Sequence, residues 1–161
     1  MVKIIIFIEN KYAMTTFTGI KDVDMSILMR LEDQDLVNVC QANTYLASLC
    51  NDNFYRQRTY LKFPPSANNK PGYMTWSEFY KFLIQGHREY QDLLGLASEF
   101  SLTHKPIIKL PGGGRLSRGS MMKLLEMWIN KYDIVMDETM IKNARDGIEK
   151  AMTYIGGINH F

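Results

Sequence analysis

The segment 107–125, IIKLPGGGRLSRGSMMKLL, carries residue types suited to phosphate chemistry. It reads as a strand, a glycine loop and a helix, the arrangement in which backbone N–H groups cradle a phosphate. Gly114 and Gly119 have the spacing of a P-loop, yet Ser120 and Met121 stand where that motif places Lys and then Ser or Thr. Without the lysine no point charge meets the terminal phosphates, which argues against nucleotide hydrolysis and leaves a connecting loop as the simpler reading. The same stretch is the basic pole of the chain, with Lys105, Lys109, Arg115, Arg118 and Lys123 and no acid among them. Arginines can pair with phosphodiester oxygens and glycines let a backbone approach them, so these five residues form a candidate nucleic-acid-binding site. Glu126 and the run MDE at 136–138 dilute the charge of the helices that follow, and no base-reading motif is present.

Other reactive side chains are scattered. His87, His104 and His160 are far apart, and none has a histidine four residues on or a cysteine pair nearby, so no metal site is expected. Cys40 and Cys50 lie inside apolar helical patterns without CxxC spacing, which predicts reduced thiols in an intracellular protein. No G-x-S-x-G elbow occurs. The sequence therefore offers no catalytic residue and no cofactor site, and it reads as a binding protein, with an enzyme whose site is assembled from distant residues as the remoter option. Nineteen basic against seventeen acidic side chains leave a net charge of +2, too near balance to argue for a polyanionic partner from the total, so only local charge informs.

The elements that must position these residues are mostly helical. With 161 residues, 46 % of them hydrophobic, the chain suffices for one compact domain or two small units. Residues 2–8 are β-branched and apolar, which predicts a strand; the run IIIFI is far too short to span a bilayer or to serve as a signal-peptide core. TTFTG at 15–19 has the composition of a connection. From Asp22 the pattern turns helical, first in a short turn holding Ile27, Leu28 and Leu31. A second helix then opens at Asp33 or Asp35, with Leu36, Val39, Cys40, Asn43 and Leu46 on one face. Asn51 or Asp52 caps a third helix carrying Phe54, Tyr55 and Leu61, which the breaker-rich FPPSANNKPG at 63–72 ends.

Beyond that loop, Thr75 and Glu78 have capping-box spacing ahead of Trp76, Phe79, Tyr80 and Leu83, and a further helix covers about 88–100. IIKL at 107–110 predicts a short strand pairing with 4–8 in a small two-stranded β element. Ser120 precedes an amphipathic helix, and Asp137 precedes another that runs to the Gly156–Gly157 stop. The expected core comprises Leu36, Val39, Leu46, Leu49, Trp76, Phe79, Leu124 and Trp128. Eleven methionines, among them Met121, Met122 and Met127, suit adaptable packing.

Ile27, Leu28 and Leu31, then Asp35–Leu36 with Val39–Cys40 and Leu46, then Asp52 with Phe54–Tyr55, give the stretch 22–56 a likeness to a known module. DVDMSILMRLEDQDLVNVCQANTYLASLCNDNFYR resembles an F-box, the three-helix unit that hooks a protein onto the Skp-family adaptor of cullin-based ubiquitin ligases. LCNDNFYRQR, followed downstream by MTWSEFY, is most similar to the F-box-like proteins encoded by large DNA viruses of protists. Val23–Asp24 stand where the family has Leu-Pro, and Asn43 where its second helix commonly carries an aromatic residue. The likeness is confined to 22–56; residues 85–161 match no family pattern, and leucine-rich or propeller repeats are missing.

The resemblance implies a mainly α protein in which a three-helix F-box-like unit is packed on a C-terminal helical unit. With the residue patterns on either side, it gives an N-terminal strand and connection at 1–18, F-box-like helices at 19–63 and a C-terminal helical unit at 64–161. It further implies an intracellular adaptor, in the host cytoplasm or nucleus if viral, whose partner is a Skp-family protein held by Ile27, Leu28, Leu31 and Leu36. A three-helix segment of this length buries too little surface to stand alone, so it must lean on the rest of the chain or on a partner. Five acids between Asp22 and Asp35, against Arg30 alone, present either a solvated face or a steering charge. The alternative function is nucleic-acid association through the basic loop, with no membrane involved.

Overall fold

The structure, a computed structural model, describes the backbone of residues 2–8 and 11–158 and the side chains of residues 17–151. His160 lies outside the described residues. Two strands, β1 (Val2–Ile8) and β2 (Lys11–Phe17), form an antiparallel hairpin with Val2 opposite Phe17 and Ile8 opposite Lys11. Helices α1 (Lys21–Arg30), α2 (Asp33–Cys40), α3 (Thr44–Leu49), α4 (Asp52–Lys62) and the single turn α5 (Pro64–Ala67) follow. Then come α6 (Trp76–Thr103), a second hairpin of β3 (Ile107–Lys109) and β4 (Arg115–Ser117), α7 (Arg118–Tyr132) and α8 (Glu138–Ile158). The protein is mainly helical, as the periodicity predicts. The expected pairing of 4–8 with 107–110 does not form: β3 pairs with β4, and β1 with β2. Each hairpin closes a loop of a few residues, whereas the long-range pairing would close about a hundred at a larger entropic cost.

The predicted second helix is two helices. Asn43 is extended at φ −160°, and its side-chain oxygen accepts the Leu46 N–H at 2.8 Å, so Asn43 ends one helical run and caps the next. This break overturns the expectation of free thiols. On one continuous helix residues 40 and 50 would be about 15 Å apart. With the chain reversing between α2 and α3, their Cα atoms are 5.9 Å apart and the sulfurs are joined in a disulfide.

Conversely, the two helices expected over 75–100 are one. Asp52 accepts the Trp76 and Ser77 N–H groups at 3.2 and 3.1 Å, and Thr75 Oγ1 accepts that of Glu78 at 3.1 Å, so the first turn of α6 is fully capped. Gly86 does not break the helix; it admits neighbours. A Cβ there would collide with Met136 Cε and lie 2.6 Å from the Tyr132 ring, and the Gly86 carbonyl accepts the Trp128 indole N–H at 2.9 Å.

The chain divides into two compact units. The first comprises 1–62 and 73–80, the second 63–72 and 81–161, so the segment 63–72 and the first turns of α6 exchange places relative to a simple boundary after residue 63. Leu28, Leu36, Val39, Leu46, Phe54 and Phe79 fill the first. In the second, Met121, Leu125, Trp128, Ile129 and Tyr132 form the buried stripe of α7. Leu124, expected in that core, sits one position off the stripe and is 39 % exposed; Trp76 is half-buried, between Tyr60 and Phe79.

Candidate docking face

The first unit holds α1 at both ends through buried charge. Ile20 precedes α1 and offers no capping side chain, so the helix start depends on Asp24 reaching back. One Asp24 oxygen accepts Thr18 N at 2.8 Å and Thr18 Oγ1 at 3.0 Å; the other accepts Gly19 N at 2.9 Å and Tyr45 OH at 2.6 Å. Gly19 supplies the left-handed backbone, φ +83°, that aims its N–H at the carboxylate. Burial pushes the Asp24 pKa up, but the bonds from Tyr45, Thr18 and Gly19 outweigh it and the net shift is downward. The same bond pushes the Tyr45 hydroxyl up to about 12.

At the other end Arg58, on α4, is fully buried. Its Nε donates to Tyr80 OH at 2.7 Å, one terminal nitrogen to the Leu28 and Met29 carbonyls at 3.2 and 3.0 Å, and the other to Leu31 O at 2.6 Å and Asp33 Oδ1 at 3.0 Å. All five donors of the guanidinium thus meet acceptors. Three are carbonyls at the C-terminus of α1, where a cation also complements the helix dipole. Tyr80 OH bonds Asp33 as well, and burial followed by the Asp33 bond raises its pKa. Arg58 thereby ties α4, the end of α1, the start of α2 and the first turns of α6 into one polar core.

Clamped this way, α1 turns Asp24 and Leu28 inward and leaves Ile20, Val23 and Ile27 on an adjoining face. Ile20 is 62 % exposed and Val23 43 %, with Ile27 half-buried beside them in a shallow hollow that includes Asp22, Ser26 and Arg30. Val37 on α2 is 50 % exposed. Of the residues expected to grip a partner, Leu28, Leu31 and Leu36 are buried inside the protein and only Ile27 reaches the surface. The correction has a helical cause. Leu28 and Leu31 share the face of Asp24, at i+4 and i+7, and that face is the core; the available apolar face lies one residue earlier, at 20, 23 and 27.

Sequence reasoning passed over Arg58 and gave Asp24 and Tyr80 no part in a buried polar cluster. The signal was a charged residue on an apolar stripe, since Arg58 follows Phe54 and Tyr55 at helical spacing.

In the second unit the basic residues separate. Arg118 is buried, donating to Phe100 O at 3.1 Å and Lys105 O at 3.2 Å with its guanidinium 5.2 Å from the Phe100 ring, so it caps the end of α6 and is unavailable to a phosphate. Lys105, Lys109, Arg115 and Lys123 are exposed. The glycine stretch is the tip of the β3–β4 hairpin, with Gly112 and Gly113 both at φ +100°, and it is not a cradle at a helix start. The N-terminus of α7 is occupied by Ser117, whose hydroxyl accepts Ser120 N at 3.1 Å. His87 lies against Phe63, ring centroids 4.6 Å apart, and burial lowers its pKa although Asp137 opposes the shift. Among the described residues no three His, Cys, Asp or Glu side chains converge as a metal site would require, and no helix is long and apolar enough to cross a membrane. A cleft of about 400 Å³ lies between α6 and α8, lined by polar and apolar residues alike. No family model, no curated protein and no solved structure matches the chain.

Proposed function

We propose that the chain is an F-box-like interaction protein whose first unit docks a Skp-family adaptor of a cullin ubiquitin ligase, inside the cell, and that it acts as an adaptor and not as a catalyst. The observation that carries this reading is the apolar side at the start of α1, with Ile20 just before the helix and Val23 on it exposed and Ile27 half-buried, on a helix fixed at both ends by buried charge. Apolar side chains held on a rigid helix and rimmed by polar ones, here Asp22, Ser26 and Arg30, are what supplies anchors at a protein interface. The succession of short helices over residues 21–62 supports the resemblance that suggested the partner. The reading does not depend on the disulfide. Leu36, Val39, Leu46 and Leu49 hold α2 and α3 by apolar burial, which survives reduction to two thiols.

The test is calorimetric titration with a purified Skp-family adaptor. Wild type binds, and Val23→Asp with Ile27→Asp weakens binding about a hundredfold or more, because unpaired charges enter a desolvated interface. Leu28→Asp is unsuitable, since it would place a charge in the core. Absence of measurable binding by folded wild-type protein refutes the proposal.

A further inference from the structure

We propose that the β3–β4 hairpin and the start of α7 bind the phosphate backbone of duplex nucleic acid without reading its sequence, an activity of the second unit that is independent of the adaptor reading. The hairpin has an inner and an outer face. Ile108 is buried and pairs with Leu116, so Ile107 and Lys109 on β3 and Arg115 on β4 point outward. Lys109 stands directly opposite Arg115 in the ladder. Like charges at directly opposed positions destabilise a strand pair, and a bound anion reverses that term.

The segment itself offers no anion. No acidic residue occurs between Glu99 and Glu126. Lys105, Lys109, Arg115 and Lys123 are exposed, and among the described residues their side chains make no ion pair. Glu126, three residues after Lys123 on α7, is the nearest acid in sequence. At the hairpin tip a Cβ on Gly112 or Gly113 would meet nothing within 4 Å, so the tip is open and a phosphate can approach its backbone closely, although the Gly113 N–H is already donated to Leu110 O at 3.1 Å. Duplex is favoured over single strand because residues 101–127 contain no Phe, Tyr or Trp on which a base could stack. A two-stranded ribbon also has the width of a major groove. The outer face carries no Asn, Gln, Asp or Glu to read an adenine or cytosine edge, and its two cations are assigned to phosphates, whose contacts carry no sequence information.

Fluorescence anisotropy with a labelled duplex of ~20 base pairs tests this across about 50 to 200 mM salt. Four phosphate contacts give a slope of log affinity on log salt of about −3.6, a loss of roughly 150-fold over that range. Lys109→Gln with Arg115→Gln halves the slope to about −1.8, while Lys142→Gln, an exposed cation on α8, leaves it unchanged. Two duplexes of unrelated sequence bind within about threefold of each other, and a single strand of equal length binds more weakly. The proposal is overturned by no duplex binding at the lowest salt, by a slope that the double variant does not change, or by preferential binding of the single strand, an acidic peptide or anionic vesicles.

Discussion

Replacing Arg58 with Met keeps a stem of similar length and removes the guanidinium from a site where it is fully buried and meets five acceptors. Five net hydrogen bonds at about 1 kcal/mol each set the scale, and the carbonyls of Leu28, Met29 and Leu31 would be left without this donor. Asp33 moderates the loss, because its side chain is 38 % exposed and water can solvate it once the ion pair is gone. The expected cost is ~3–5 kcal/mol, the range for removing one member of a buried pair. That is a large fraction of a domain stability of about 5–15 kcal/mol. Urea unfolding measures it. Trp76 lies in the first unit and Trp128 in the second, so Trp128→Phe leaves Trp76 fluorescence as the reporter of the affected unit. Arg58→Lys keeps the charge but supplies three donors in a different geometry, and it should lose roughly half as much. If Arg58→Met costs less than about 1 kcal/mol with an unchanged m-value, the claim that this cluster clamps α1 is refuted.

Three further outcomes follow from the geometry. Gly86→Ala, which in an open helix would gain about 1 kcal/mol, should instead lose ~1–3 kcal/mol, because its Cβ would fall 2.6 Å from the Tyr132 ring; a stabilised variant contradicts the packing of α6. Asp24 is held below its ordinary pKa of 3.8, so it contributes stability above that pH that is lost as pH falls toward the folded value. His87, held below its ordinary 6.5, begins to oppose folding as pH falls through that value. Chemical denaturation should therefore show stability declining on acidification, first below 6.5 and again below 3.8, with Asp24→Asn removing the second decline. Oxidised protein should show no free thiol on denaturation, as Cys40 and Cys50 are the two cysteines of the chain, and Cys40→Ser should cost about 2–3 kcal/mol by lengthening the unfolded chain's freedom. Two reactive thiols under the same conditions would contradict the joined pair.

The helical content and most helix starts were legible in the sequence because caps are local. Asn51 accepts Phe54 N at 2.9 Å and Asp137 accepts Thr139 N at 2.8 Å, as their residue types suggest. The α2–α3 break was missed because Leu36, Val39, Cys40, Asn43 and Leu46 satisfy one helical period, and periodicity cannot distinguish a continuous stripe from two helices whose cap keeps the register. Missing that break also hid the disulfide. The exposed apolar side of α1 lies one residue earlier than expected for a similar reason: Val23 and Leu28 both look apolar, and which of two adjoining faces turns inward is decided by Asp24 and Arg58, partners 6 and 30 residues away from the backbone they hold. Arg118 was counted with the surface cations because charge is visible in sequence and burial is not.

Hydrogen exchange of the intact chain, with and without a saturating Skp-family adaptor, tests the docking face most directly. Binding across Ile20, Val23 and Ile27 should slow exchange over α1 and leave α7 and the β3–β4 hairpin unchanged. Exchange over residues 21–30 that is identical with and without adaptor, or protection confined to the second unit, would contradict the account.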